Sequence, residues 1–279
     1  MRFLEVLKAI FLGIVEGITE WLPVSSTGHM ILFDELVKLN VSDEFKEMFL
    51  VVIQLGAILA VPTLFWHRLW PFGKSHSKEQ RKGVVQLWLK VITGAVPAAV
   101  LGFLLDDFLD EHLYTPWVVA ITLILYGIAF ILVEYFNKKR NLTYRVENVS
   151  DLTYRDALTI GAFQVLSLIP GTSRSGSTIL GGMLTGVSRT ASAEFSFFMA
   201  IPIMLGASGL KILKFILEGV SVSRLEIGLL LIGIAVAYLV SLAVIRFLMD
   251  FVKRHSFSPF GVYRIVLGIV VIGYFLLFK

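Results

Sequence analysis

The 279-residue chain contains no cysteine, which excludes disulfide frameworks, thiolate zinc sites and cysteine nucleophiles. Charge is scarce: Asp, Glu, Lys and Arg make up 16% of the residues, against about 25% in an average soluble domain. The net charge is only +4, and the basic residues sit in loops between apolar runs. That pattern argues for topology control and against nucleic-acid binding. The first apolar run carries Arg2, Glu5, Lys8, Glu16 and Glu20 and no small-residue cleavage site follows, so it is not expected to be a secretory signal. What abounds is apolar: 56% of residues are hydrophobic and the mean hydropathy is +0.80. An all-α polytopic membrane protein is expected, with residues 1–279 forming one membrane domain.

Six segments reach the roughly 20 apolar residues that span a bilayer, near 45–66, 84–105, 115–136, 192–217, 226–249 and 260–278. Two further apolar stretches, 3–37 and 155–187, are broken by PVSSTGH at 23–29 and PGTSRSGST at 170–178. Short apolar arms around a polar break are expected to form re-entrant helical hairpins. Loop charge gives an orientation. Residues 67–83 (Arg68, Lys74, Lys78, Arg81, Lys82), 137–155 (Lys138, Lys139, Arg140, Arg145, Arg155) and 250–256 (Lys253, Arg254) should be cytoplasmic. The loop at 106–112, with Asp106, Asp107, Asp110 and Glu111, should face outside.

The chain also repeats itself. PVSSTGHMIL at 23–32 matches PGTSRSGSTIL at 170–180 with one inserted residue, LGA at 55–57 matches 205–207, and YGIAFIL at 126–132 resembles LGIVVIG at 267–273. Each half, about 1–136 and 155–279, is then one broken hairpin plus three spans, joined by a cytoplasmic loop. Three is odd, so the second half enters the membrane inverted, and the two breaks should meet near the midplane.

Glu16 and Glu20 lie four apart on one helix face. Carboxyls in an apolar helix are costly and point to function: a divalent-cation site, a general base or an acidic pair facing substrate. The plainer alternative is a solvated helix end, with Trp21 as an interfacial anchor. Ser25, Ser26, Thr27 and His29 follow Pro23, offering hydroxyls, free N–H groups for an anion and an imidazole. In the second break Arg174 is flanked by Ser173, Ser175, Ser177 and Thr178. A guanidinium at membrane depth suits phosphate oxygens; otherwise it pairs internally with Glu16 or Glu20. Gln54 and Gln164 line the site or bond neighbouring helices. Lys90 and Arg246 are expected to snorkel, Glu134 to pair within the basic loop, and Asp34, Glu35, Asp43, Glu44 and Glu47 to be solvated.

EGITEWLPVSSTGH and PGTSRSGST together resemble the two signature motifs of the bacterial undecaprenyl-diphosphate phosphatases, the bacitracin-resistance family. The similarity runs over nearly the whole chain. It implies hydrolysis of undecaprenyl diphosphate to the monophosphate and inorganic phosphate, which recycles the lipid carrier of cell-wall synthesis. By that resemblance Glu16 and Glu20 are the acidic pair, Ser26 and His29 the hydroxyl and imidazole, and Arg174 the phosphate-binding arginine. It also implies a divalent cation, Mg²⁺ or Ca²⁺, and the substrate phosphates with Glu16 or Glu20 are expected to hold it. The implied location is the bacterial inner membrane, and the topology, with the first hairpin entering from outside, leads to a site expected to open to the outer face.

The mechanism expected has Arg174 and the helix-start N–H groups binding the diphosphate, helped by Ser25, Thr27, Ser173, Ser175 and Thr178. Ser26, or a water beside it, attacks, and His29 or Glu20 moves the protons. A lipid-phosphate transporter or flippase using the same midplane site is the competing reading. Apart from substrate and membrane lipid, the one partner weighed is a second copy of the chain in a homodimer.

Overall fold

The computed structural model describes residues 2–73, 76–140, 143–220 and 222–278. Lys74, counted above among the loop charges, lies outside them, as do the side chains of Asp34, Glu35, Asp106, Asp107 and Asp110. Among the described residues the chain is helical, with no strand beyond one isolated bridge between Val146 and Val187.

Hydroxyl caps start most helices, each accepting a backbone N–H from its first turn. α1 (Arg2–Thr19) and α2 (Ser26–Leu36) flank the first break, with Ser25 capping α2. Ser42 caps α3 (Asp43–Leu64), which leads through one turn, α4 (Trp66–Leu69), to α5 (Lys78–Leu113). α5 begins with a reciprocal Ser77–Gln80 capping box. Thr115 caps α6 (Pro116–Lys139), whose proline occupies a first-turn position that needs no N–H. The second half runs α7 (Tyr154–Val165), α8 (Arg174–Leu184), α9 (Arg189–Leu217), α10 (Arg224–Arg254) and α11 (Ser258–Phe278).

Six helices are long and apolar enough to cross a membrane: α3, α5, α6, α9, α10 and α11. They coincide with the six segments expected from hydropathy, so the chain is an all-α, multi-pass membrane protein. α2, α7 and α8, at 11 or 12 residues, are about 17 Å long, roughly half of a ~30 Å hydrocarbon core. α1, at 18 residues, is longer than the short arm expected. The acidic loop expected at 106–112 is instead the last two turns of α5. Nothing there breaks a helix until Tyr114, ahead of Pro116.

Helix pairs close on small residues. α1 packs on α10 and α7 on α5, while α3 meets α9 and α6 meets α11. A Cβ on Gly13 would fall 2.8 Å from the Gly233 carbonyl oxygen, and one on Gly161 2.2 Å from that of Gly94. A Cβ on Gly127 would lie 2.6 Å from the Gly261 oxygen, and one on Gly268 2.9 Å from the Ala120 oxygen. The backbones therefore touch at these crossings.

At the end of the bundle that carries the basic loops, ion pairs tie loops to helices. Arg68 pairs with Glu194 and Arg145 with Asp156. Glu134 does not pair within the 137–155 loop: both its oxygens take Arg189 at the start of α9, and Oε1 also accepts the Phe257 N–H at 2.8 Å. Lys90 donates to the Ser150 carbonyl at 3.0 Å, while Arg246 is exposed as a snorkelling residue would be.

Candidate active site

Both breaks turn on the same local device. Ser25 has φ 73° and Ser173 φ 72°, and among the described residues these are the only non-glycine residues with positive φ. Each serine then caps the helix that follows: Ser25 Oγ accepts the Gly28 N–H and Ser173 Oγ the Gly176 N–H, both at 3.2 Å. A β-carbon in the left-handed region costs of order 1 kcal/mol, and such residues cluster at functional sites. The first-turn N–H groups of α2 and α8 are thereby held in the breaks, where an anion can meet them.

Side chains join the breaks. Arg174 Nη2 donates to Glu20 Oε1 at 3.0 Å, and Ser26 Oγ donates to Glu20 Oε2 at 3.1 Å. Glu20 thus connects the hydroxyl beside one break with the guanidinium beside the other. Ser175 Oγ reaches the carbonyls of Glu20 (3.2 Å) and Leu22 (3.3 Å), fixing the start of α8 against the first break. Arg174 Nη1 donates to the Ser196 carbonyl at 2.7 Å, and Thr178 Oγ1 meets Ser196 Oγ at the same distance. Trp21 stacks beneath, its ring 5.8 Å from the guanidinium carbon. It is fully buried against Phe197, so it is no interfacial anchor.

Glu16 and Glu20 are 1% and 9% exposed, which overturns the solvated helix end. Among the described residues Glu16 Oε1 and Arg174 Nε have no hydrogen-bond partner. A buried polar atom left unpaired costs about 1–3 kcal/mol, so these atoms mark where a polar ligand belongs. Gln164 is also buried with both amide atoms unpartnered. Thr27 is half-buried on the first turn of α2, and Ser173 Oγ lies 3.1 Å from Ser175 Oγ.

His29 is engaged elsewhere. Its Nδ1 faces the Ser25 carbonyl at 2.7 Å and must donate to it. That leaves Nε2 to accept the hydroxyl of Tyr263 on α11, also at 2.7 Å. The pairing of Ser26 with Glu20 makes Glu20 the nearer proton acceptor.

Among the described residues no three His, Asp or Glu side chains are grouped to hold a metal. Two carboxyls against one guanidinium do fit a cation completed by phosphate oxygens, since Mg²⁺ is commonly bound by one or two carboxylates plus substrate phosphates. Glu16 Oε1, unpartnered among the described residues, would be the ligand atom left for it.

Sequence reading overlooked three residues here: Ser196, Tyr263 and Arg264. Arg264 is fully buried on α11 and, among the described residues, bonds only main-chain carbonyls. The available signal was an arginine six residues into an apolar span.

Residues 9–270 match the family model described as bacitracin resistance protein BacA. The chain belongs to this family. An Enterococcus faecalis relative named undecaprenyl-diphosphatase is 58% identical over 274 residues, covering 98% of both chains. Another of that name from Acetivibrio thermocellus is 54% identical over 273 residues, covering 98% of both. Undecaprenyl-diphosphatase 1 of Clostridioides difficile is 55% identical over 274 residues, covering 98% of this chain and 97% of its own. Family and relatives span both hairpins, so the geometry above lies wholly inside the shared region.

Proposed function

We propose that this chain hydrolyses undecaprenyl diphosphate to undecaprenyl phosphate and inorganic phosphate, recycling the lipid carrier of cell-wall synthesis. One observation carries the chemistry: Ser26, Glu20 and Arg174 form a continuous hydrogen-bonded line across the two hairpin breaks. Arg174 and the first-turn N–H groups of α2 and α8 hold the diphosphate and stabilise charge on the transferring phosphoryl group. Glu20 takes the Ser26 proton as Oγ forms a bond to the terminal phosphorus. As the bridging P–O bond breaks, Glu20 passes that proton to the departing undecaprenyl phosphate and is a carboxylate again. Water next attacks the phosphoserine and gives its proton to Glu20, which returns it to Ser26 Oγ as the P–Oγ bond breaks and inorganic phosphate departs. Thr178 and Ser196 hold Arg174, and Ser173 and Ser175 hold the break. Glu16 and Glu20 would hold Mg²⁺ or Ca²⁺, which when bound would offset the negative charge of the diphosphate.

The inverted repeat and the re-entrant hairpins belong to the same reading. They are supported by reciprocal packing: Gly13 of α1 rests on Gly233 of α10 as Gly161 of α7 rests on Gly94 of α5. The same sequence offset separates Gly13 from Gly161 and Ser25 from Ser173. Basic residues at one end of the bundle favour that end as cytoplasmic, in the bacterial inner membrane, with the first break reached from the outer face.

A transporter would need the guanidinium and N–H groups but has no use for a serine hydroxyl bonded to a buried carboxylate. Ser26→Ala tests the chemistry. Activity should fall about 10³-fold, with no phosphorylated protein trapped in acid-quenched single turnovers. Full activity in that variant would move the attack to water.

A further inference from the structure

Among the described residues, the most deeply buried charge has no counter-charge. Arg264 is 0% exposed, and among the described residues its guanidinium meets no carboxylate. Its partners are five carbonyl oxygens. Nη1 donates to Pro23 in the first break at 3.2 Å, and Nη2 to Gly171 and Thr172 in the second at 2.9 and 3.0 Å. Longer contacts at 3.5 and 3.4 Å reach Thr122 and Leu123 of α6. A Cβ on Gly176 would stand 3.3 Å from Nη1, so the guanidinium lies directly under the first turn of α8.

Leaving a cation in the interior is expensive unless every donor is used. Here the donors are spent on both halves of the site at once. The guanidinium is rigid and planar, so its two nitrogens fix the distance between Pro23 of one hairpin and Gly171 of the other. The peptide after Thr172 has its carbonyl turned to Arg264, and a trans peptide turns the Ser173 N–H the opposite way. Charge on Arg264 also lies behind the helix starts that would bind a diphosphate. Next in sequence, Tyr263 reaches His29 from the same helix.

We propose that Arg264 is the positioning residue of the site: one guanidinium that locks the two hairpin breaks into the register in which Arg174 meets Glu20. Its structural part stands on the bonding alone, and its catalytic consequence rests on the functional reading above. Arg264 touches no reacting atom and acts through Pro23, Gly171 and Thr172.

The test compares wild type, Arg264→Met and Arg264→Lys in the full-length detergent-purified protein, by amide hydrogen exchange and by kinetics on undecaprenyl diphosphate. In the Met variant exchange should rise at least about tenfold at both breaks, 22–25 and 170–173, while α3 and α9 keep wild-type protection. Its kcat should fall on the order of 100-fold, more than any change in KM, as misplacement by about 1 Å does. The Lys variant keeps the charge and loses the fork, so it should recover part of that kcat while both breaks still exchange faster. If the Met variant does not fold, the Lys variant decides on the same two readouts. Wild-type exchange at either break in a folded variant would overturn the proposal, as would a rise spread evenly over all the spans. Should the wild type release no phosphate, the functional reading fails while the exchange data still decide the role of Arg264.

Discussion

Arg174 Nη2 lies 3.0 Å from Glu20 Oε1, joining residues 154 positions apart across two hairpins, and both side chains are about nine-tenths buried. Buried pairs of this kind are weak net stabilisers, yet removing one partner costs about 3–5 kcal/mol if the other stays charged. Glu20 keeps the Ser26 hydroxyl as a partner, so Arg174→Ala should remain folded with a lowered unfolding temperature. Combining Arg174→Met with Glu20→Gln should restore stability at least to that of either single variant, without restoring activity. Thermal unfolding in detergent checks this, and a double variant weaker than both singles would contradict the pairing.

Gly171 has φ +86°, and a Cβ there would lie 2.2 Å from Thr122 Oγ1 and 2.6 Å from the Val119 oxygen. Gly171→Ala should therefore cost about 2–3 kcal/mol. Gly209→Ala, where an added methyl meets nothing within 4 Å, should change stability by no more than about 0.5 kcal/mol. Equal unfolding midpoints for the two variants would remove the close approach assigned to the second break.

The six spans were legible because each is a long apolar run closed by charge or proline, and membrane insertion depends on little else. The two breaks were legible because proline, glycine and serine interrupt such runs for few other reasons. What stayed hidden were partners. Glu134 reaches Arg189, and Arg264 reaches both breaks, only after helices far apart in sequence pack on their glycines. Trp21 looked like an anchor because the sequence beside Glu20 does not reveal that Phe197 covers it. The acidic end of α5 reads as a loop by its charge, yet it holds no helix breaker and stays helical to Leu113.

Asp156 completes the capping box that Thr153 opens at the start of α7, accepting the Thr153 N–H and hydroxyl at 2.9 and 2.7 Å while pairing with Arg145. Burial pushes its carboxyl up, but Arg145 and Thr153 outweigh that and hold it below its ordinary value of 3.8. A depressed carboxyl contributes stability that is fully present above the unfolded value and lost as pH falls through the folded one. Asp156→Asn should therefore lower the unfolding midpoint by about 2–4 °C at pH 7. The gap should hold down to about pH 4 and shrink below 3.8. A gap that widened on acidification would contradict the assignment.

Glu16 supplies the unpartnered oxygen assigned to a cation. Glu16→Gln should raise the Mg²⁺ concentration needed for half-maximal activity about tenfold or more, and EDTA should suppress wild-type turnover reversibly. Undiminished activity in EDTA would leave Glu16 without that role.

The central claim, that the crossing of the two hairpins is where a lipid diphosphate loses its terminal phosphate, is tested most directly by phosphate release. Detergent-purified wild type and Arg174→Ala are incubated with undecaprenyl diphosphate, and inorganic phosphate is measured. Release by the wild type, with loss of at least about 10³-fold in a folded Arg174→Ala variant, is the expected result. Normal turnover by that variant would contradict the phosphate role given to Arg174, and no release by a folded wild type that binds the lipid would contradict the enzyme itself.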